Sequence, residues 1–200
     1  MAAGAGERLG SRRPKAFVDV AGRPMLEWSL DALRAAGINE VVTVVPPGFP
    51  GVTGGATRSE SVRIGLAHVP LGYDAIVIHD AARPLVPPSL FGTCIDALDE
   101  ADAAVAAARV VDTIKEAAED GTVVRTLDRG RLWAIQTPQA FRRSVLERAL
   151  DVDDAVLAAA TDDASLVERL GGRVVVVEAP ASNFKVTTAH DLSVAASLLG

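Results

Sequence analysis

The chain has 200 residues, 49% of them hydrophobic but only 4% aromatic, and a formal net charge of −6. That size and composition fit a single folded α/β domain and exclude a disordered chain. The acidic balance argues against a general nucleic-acid binder. No run of about 18 or more uncharged apolar residues is present, so a membrane span is not expected. Nor does a basic region precede an apolar one as in a secretory leader. Cys94 is the single cysteine and lies in a helix-like stretch. It reads as buried filler in a cytoplasmic protein.

Residues 1–15, MAAGAGERLGSRRPK, carry Arg8, Arg12, Arg13 and Lys15 against Glu7, a local charge of +3, so the other 185 residues sum to −9. A cationic cluster in an acidic chain points to a small anionic ligand held at one place. Residues 24–37 begin with Pro and end with Gly, with Leu26, Leu30, Leu33 and Ala36 near helical spacing, and predict a helix. The run EVVTVVPP predicts a buried strand stopped by prolines. SESVRIGLAHV (59–69) reads as a helix, and DAIVIHDAARP as a strand entering a polar turn. PSLFGTCIDALDEA reads as a helix, and DAAVAAARV as a strand despite its alanines. TDDASLVERLGG predicts a helix capped by Thr161 and closed at Gly171, RVVVVEA a strand, and TTAHDLSVAASLL a helix with a Thr188/Asp191 capping box.

This alternation predicts a mostly parallel sheet covered by helices on both faces. Residues 110–127, VVDTIKEAAEDGTVVRTL, break it with two short strand-like runs around Asp120–Gly121, a hairpin turn signal. An isolated hairpin is only marginally stable, so this segment reads as a protruding arm, at about residues 110–133, that pairs with another subunit. The expected organisation is one domain, 1–200, plus that arm.

Several stretches carry candidate chemistry. In AAGAGERLGSRRPK, glycines at 4 and 6 let backbone N–H groups approach an anion, while Arg8 and Lys15 supply charge. G-x-x-x-x-G-K-[ST] is absent, and Leu9 stands where a dinucleotide fingerprint needs its third glycine. In TGGATRSESV (53–62), a double glycine leads to Arg58 and Ser61 at a helix start, suited to a polar ring edge or a phosphate. Capping by Ser59 or Ser61 is the blander reading. VIHDAARP (77–84) puts polar groups at the carboxyl end of an apolar strand, where open α/β sheets bind ligands. There Asp80 could hold a ribose hydroxyl or hydrated Mg²⁺, and Arg83 a phosphate. His79 reads as a satisfied, partly buried histidine. No second His or Cys at ligand spacing supports zinc. VDTIK, LDRGRLWAIQTPQ, TDDAS and NFKVT are weak alone; Trp133 and Phe184 read as packing, and Arg129, Arg131 and Lys185 as surface charge.

Together, in order, A-A-G-A-G-E-R with P-K, G-G-A-T-R-S-E-S-V, H-D-A-A-R-P, D-T-I-K, D-R-G-R-L-W-A-I-Q-T-P-Q, T-D-D-A-S and F-K-V-T resemble the 2-C-methyl-D-erythritol 4-phosphate cytidylyltransferase family of the non-mevalonate isoprenoid pathway. The resemblance runs from residue 2 to about residue 192. It implies a Rossmann-like, doubly wound, mostly parallel sheet of the nucleotidyltransferase or glycosyltransferase-A type. It also implies transfer of CMP from CTP to methylerythritol phosphate, with release of pyrophosphate and a need for Mg²⁺ or another divalent cation. By resemblance, Ala2, Ala3, Gly4 and Gly6 wrap the nucleotide, and Arg8 and Lys15 neutralise the triphosphate and the transition state. Gly55, Arg58 and Ser61 lie where the family holds the nucleotide, Gly55 and Ser61 reading the cytosine. Asp80 and Ala81 contact the ribose, and Asp80 assists Mg²⁺, in part through water, with the ion mainly on the CTP phosphates. Asp80, Arg83, Thr113, Arg129, Thr137, Lys185 and Thr187 hold the second substrate, Arg129 and Lys185 among the catalytic set. Some of these come from the neighbouring subunit's arm, implying a homodimer.

The chain departs from the family pattern at Ala56, where an acidic residue usually follows the double glycine, and at Ala16, often Gln. A ribitol 5-phosphate cytidylyltransferase shares the loop and much of the nucleotide site, and a nucleotidylyltransferase for another base or sugar is a more distant relative. HDAARP, LDRGRLWAIQTPQ and NFKVT favour methylerythritol phosphate. A non-catalytic nucleotide-binding relative has no use for both Arg8 and Lys15. A strand feeding the glycine loop is normally central and buried on both faces. The expectation is therefore that Met1 stands at the end of such a strand and that a short apolar segment lies upstream of it.

Overall fold

A computed structural model describes residues 1–4 and 13–200. The elements follow in chain order: β1 (Asp19–Val20), β2 (Arg23–Pro24), α1 (Met25–Ala35), β3 (Val44–Val45), β4 (Val52–Thr53), α2 (Arg58–Leu66), β5 (Ala75–Ile78), α3 (Pro88–Asp96) and β6 (Ala103–Arg109). Then come β7 (Lys115–Ala117), β8 (Val123–Thr126), β9 (Trp133–Arg142), α4 (Arg143–Leu150), α5 (Asp154–Ala159), α6 (Asp163–Arg169), β10 (Val174–Glu178) and α7 (Ala189–Leu199).

The central sheet has the order β10-β6-β9-β5. β10 and β6 pair in parallel, and β9 runs antiparallel to both β6 and β5. Three of these four strands therefore share one direction and β9 opposes them. The alanine-rich β6 is a strand because its small side chains let two helical layers close on it. Ala103 and Val105 face a core with Phe141, Leu146 and Val167, while Ala104 and Ala106 face one with Phe91, Leu90 and Cys94. Alternate residues thus serve opposite faces. Cys94 is fully buried and its thiol is pushed up to about 12 by burial, which fits the filler role.

β3 and β4 form a separate parallel pair. Between β3 and β5, residues 1 and 2 make the connection. The Met1 nitrogen donates to the His79 carbonyl (2.5 Å), the Ala81 amide to the Met1 carbonyl (3.0 Å), and the Ala2 amide to the Val44 carbonyl (2.8 Å). This is the hydrogen-bond pattern of parallel strands. Behind Met1 runs a groove of about 480 Å³, lined by Leu33, Ile38, Val42, Val62, Leu66, Ile76 and Ile78 among others. No strand preceding the glycine loop is among the elements of the described residues.

The local signals mostly hold. α1 follows Pro24 and is closed by Gly37 at φ +78. The capping box of α7 forms, with Thr188 accepting from the Asp191 amide and the Asp191 carboxylate accepting from Thr188. Two caps differ from expectation. α2 is capped by Thr57, not Ser59 or Ser61, and the Glu60 carboxylate reaches back to the Ala56 amide (2.7 Å). α6 is capped by Asp162, not Thr161, because the Asp162 carboxylate accepts from the Ser165 amide (3.0 Å). β7 and β8 form the expected hairpin around Gly121 at φ +85, every strand residue exposed.

The cap on α7 gives a direct test. Thr188→Ala removes the side-chain acceptor and is expected to cost about 1 kcal/mol in urea unfolding, with the slope m unchanged.

Candidate nucleotide site

A cavity of about 440 Å³ opens at the carboxyl ends of β3 and β5, lined by Met1–Gly4, Lys15, Ala16, Gly55–Arg58, Ser61, Asp80–Ala82 and Lys185. The backbone builds three of its walls. The first is residues 2–4, tied to β3 through Ala2 and to Lys15 through the Lys15 amide on the Gly4 carbonyl (3.2 Å). The second is the 54–57 turn, hung on β3 by the Gly54 amide on the Val45 carbonyl (2.9 Å). A Cβ on Gly54 would stand 2.8 Å from Ser61 Oγ and 3.0 Å from the Ala3 side chain, so only glycine lets these walls approach. Ser61 Oγ accepts from the Gly55 amide (3.0 Å) and donates to the Thr57 carbonyl (2.8 Å). Buried at 2% exposure, Ser61 fixes the turn that Gly55 presents.

The third wall is the 80–82 turn. Its Asp80 amide donates to Thr137 Oγ1 (3.0 Å), which lies 3.2 Å from His79 Nδ1. His79 packs edge-on against Phe91 with ring centres 5.1 Å apart. Burial pushes the imidazole down to about 3, so His79 is neutral and structural; it is more deeply buried than its sequence context suggests, and its Nε2 has no hydrogen-bond partner among the described residues.

Charge is organised around Asp80. Its Oδ2 accepts from Lys185 Nζ (2.6 Å), and its Oδ1 lies 3.7 Å from Arg58 Nε. Arg58 in turn donates to the fully buried Asp163. Burial alone would push the Asp80 carboxyl up; Lys185 and Arg58 outweigh it and hold the group well below the usual carboxylate range. Lys185 is presented by a clamped loop. The Val186 amide donates to the Ala82 carbonyl (2.8 Å), and Arg83 Nη1 to the Asn183 carbonyl (2.7 Å). Asn183, fully buried, donates to Gln136 Oε1 (2.8 Å) and to the Thr137 carbonyl (3.0 Å).

The structure thus gathers Ala2, Ala3, Gly4, Lys15, Gly55, Arg58, Ser61, Asp80, Ala81 and Lys185 around one cavity. Gly6 and Arg8 lie outside the described residues. Arg83 and Thr137 do not line the cavity; they turn inward and hold its frame. Thr187 bonds the Asp191 carboxylate (2.7 Å) at the start of α7. Thr113 and Arg129 are exposed on the arm, with Arg129 donating to the Val111 carbonyl (2.5 Å). Trp133 lies under the Arg109 guanidinium at the arm's base, and Phe184 packs with Val20 and Val186. Asn183 and Asp163 were not singled out from sequence. Each lies in a quoted motif, but nothing local marks an Asn or a second Asp as buried.

A family model described as "IspD: 2-C-methyl-D-erythritol 4-phosphate cytidylyltransferase" matches residues 1–200. The chain belongs to that family. A relative of that name from Synechococcus sp. (strain CC9902) is 42% identical, over 99% of this chain and 95% of its own. Another from Nocardia farcinica is 44% identical, over 99% of this chain and 91% of its own. The crystal structure of the Thermus thermophilus family member superposes with a TM-score of 0.82 at 36% identity, covering 92% of this chain and 93% of that one. The cavity is therefore built on an IspD-type fold, and parts of four of the motifs behind the resemblance, at residues 2–4 with Lys15, at 55–58 with Ser61, at 80–82 and at Lys185, line it.

Asp80→Asn tests the electrostatics. A depressed carboxylate stabilises the fold fully above the ordinary carboxylate pKa and progressively less below it. The variant is expected to lose about 2 kcal/mol at pH 7, less than a fully buried pair because the Lys185 side chain is 41% exposed. The difference in urea midpoint from wild type should begin to shrink as pH falls below the ordinary carboxylate pKa of about 4 and should close only below the depressed pKa of the folded state.

Proposed function

We infer that this cavity transfers CMP from CTP to 2-C-methyl-D-erythritol 4-phosphate, giving 4-diphosphocytidyl-2-C-methyl-D-erythritol and pyrophosphate. The observation that carries the reading is the convergence of Lys15, Arg58, Asp80 and Lys185 on one cavity whose other walls are backbone. The substrate phosphate is already anionic, so attack on the α-phosphorus needs no strong base. The protein's part is to position the two substrates in line and to neutralise charge on the five-coordinate phosphorus.

Residues 2–4 offer backbone groups to the nucleotide, Lys15 and Arg8 its triphosphate charge. Gly55 and the turn held by Ser61 present fixed groups to the cytosine edge, where a uracil would meet the reversed donor and acceptor order. Asp80, kept ionised by its two cations, can accept from a ribose hydroxyl. Lys185, on the same cavity, adds positive charge for the transferring phosphate.

The residues present also fit Mg²⁺, in a limited way. Among the described residues no group of three or more His, Cys, Asp or Glu could hold a metal ion, and Asp80 is the carboxylate on the cavity. Asp80 is the residue here that could reach a triphosphate-borne Mg²⁺ through water, and the ion would supply neutralisation of the phosphate oxygens.

The second substrate needs more than one chain. Thr113 and Arg129 stand on the arm, outside this chain's cavity, and the arm exposes Val111 (76%), Val123 (55%) and Val124 (61%). The working form is a homodimer in which the arm serves the neighbouring site. Among the described residues no helix is long and apolar enough to cross a membrane. A cytoplasmic location goes with this reading, supported by the free, buried Cys94.

Pyrophosphate release with CTP and Mg²⁺ is expected with methylerythritol phosphate and not with ribitol 5-phosphate or sugar 1-phosphates. Turnover only with one of the latter overturns the assignment. Lys15→Ala should lower kcat by about 10²–10³ while leaving the unfolding midpoint near wild type. Light scattering should give about twice the 20.8 kDa chain mass. Val124→Glu should shift the protein toward monomer and reduce turnover while CTP binding per chain persists. A fully active monomer refutes the shared site.

A further inference from the structure

Asp163 is a buried charge that CMP transfer, as derived so far, leaves unused. It sits at the first position of α6, is fully buried, and does not line the cavity. Its Oδ2 takes the Nη1–H of Arg58, whose own side chain keeps 28% exposure on the cavity wall. The other end of the same guanidinium, Nε, points at Asp80 Oδ1 across 3.7 Å, beyond hydrogen-bond distance. Arg58 is thus held between two carboxylates, in direct contact with the buried one and at arm's length from the one in the site.

We propose that Asp163 is a positioning residue for the nucleotide site: it fixes the Arg58 guanidinium so that the charge stays on the cavity wall and does not close onto Asp80. Without Asp163, Arg58 loses its direct carboxylate partner and is freer to close onto Asp80, since a guanidinium readily makes a paired contact with a carboxylate. That contact would shift the guanidinium along the wall onto Asp80 and compete with Lys185 for the same carboxylate. Two cations would then share one carboxylate, and the position of each would change.

A stabilising role alone does not account for the arrangement. Burying an ion pair costs desolvation that its attraction barely repays, and an apolar pair of similar volume is often as stable. Burial pushes the Asp163 carboxyl up while Arg58 and Ser59 pull it down. What the pair defines is location. Arg58 could otherwise choose among rotamers, and Asp163 selects the one that spans the gap between α6 and the 80–82 turn. The kinetic consequence rests on the CTP reading; the geometric one does not.

The test uses Asp163→Asn, Arg58→Met and the double variant. In ligand-free protein, ¹⁵N spectra of arginine Nε–H should show an Arg58 cross-peak, assigned by its loss in Arg58→Met. In Asp163→Asn that peak should shift or disappear; an unchanged peak overturns the proposal whatever the substrate. In pyrophosphate release, Asp163→Asn should lower kcat/KM for CTP by about tenfold or more, mainly through KM. Because Asp163 acts through Arg58, the double variant should be no worse than Arg58→Met by more than about twofold. Losses that multiply, or an Asp163→Asn enzyme within about twofold of wild type, refute it. Should Asp163→Asn not fold, the double variant, which removes both halves of the buried pair, is compared with Arg58→Met alone. A wild-type protein that neither binds nor turns over CTP refutes the function and leaves the spectra to decide on Asp163.

Discussion

The Asp80 carboxylate holds the site together, because it is the point at which three separate segments of chain meet through charge. Lys185 arrives on the loop before α7, Arg58 at the start of α2, and Asp80 itself follows β5. A carboxylate in that position, its side chain 11% exposed, would be strongly disfavoured as an unpaired ion. With a cation on each side it stays charged, and the cations are in turn fixed to the wall. Removing Asp80 leaves Lys185 without its carboxylate and Arg58 with Asp163 alone, so a change at one member alters the balance at the others.

Arg58, Lys185, Asp80 and Asp163 together carry no net charge. A triphosphate would therefore feel little attraction from the four as a set. The surplus comes from the first fifteen residues, with a net charge of +3 in a chain of −6. Of that segment's cations, Lys15 lines the cavity, and its amide is bonded back to the Gly4 carbonyl, so this charge is anchored to the same frame as the balanced cluster.

Much of the fold was legible because local signals and burial pattern agreed. β6 was readable through its alanines since Asp and Glu precede it and a hairpin follows, and its small residues pack under helices on both faces. The α7 capping box was readable from Thr188 and Asp191 alone. β9 was not legible as a strand. It contains Gln136, Pro138 and Gln139 in its middle, and a proline inside a central strand normally argues against one. The structure accommodates it with a register shift opposite Val105 and Ala107, so that Pro138 is not asked to complete a regular ladder. The motif that reads as a signature is thus also a long strand, and its two roles share residues. Thr137 supports the Asp80 amide, and Gln136 receives Asn183. For the site, composition and spacing located the lining residues well. They could not separate Arg83 and Thr137, which hold the frame from behind, from Lys185, which faces the cavity. That distinction depends on side-chain direction.

The two halves of the reaction differ in how they are built. The nucleotide half lies at the carboxyl ends of β3 and β5, tied by backbone bonds across Met1 and Ala2 and by the Gly54 approach to Ala3. Such a wall has little freedom, which suits a ligand read by fixed donors and acceptors. The arm is built differently: its strand residues are all exposed, and its internal bonds, Glu116 to Arg125 (2.5 Å) and Lys115 to Thr126 (2.6 Å), hold it to itself. The Arg129 side chain is bonded to the Val111 carbonyl of the same arm, and Thr113 is exposed. In the proposed homodimer, placement of the second substrate would depend on the surface the arm docks on, while placement of the nucleotide would rest on the single chain.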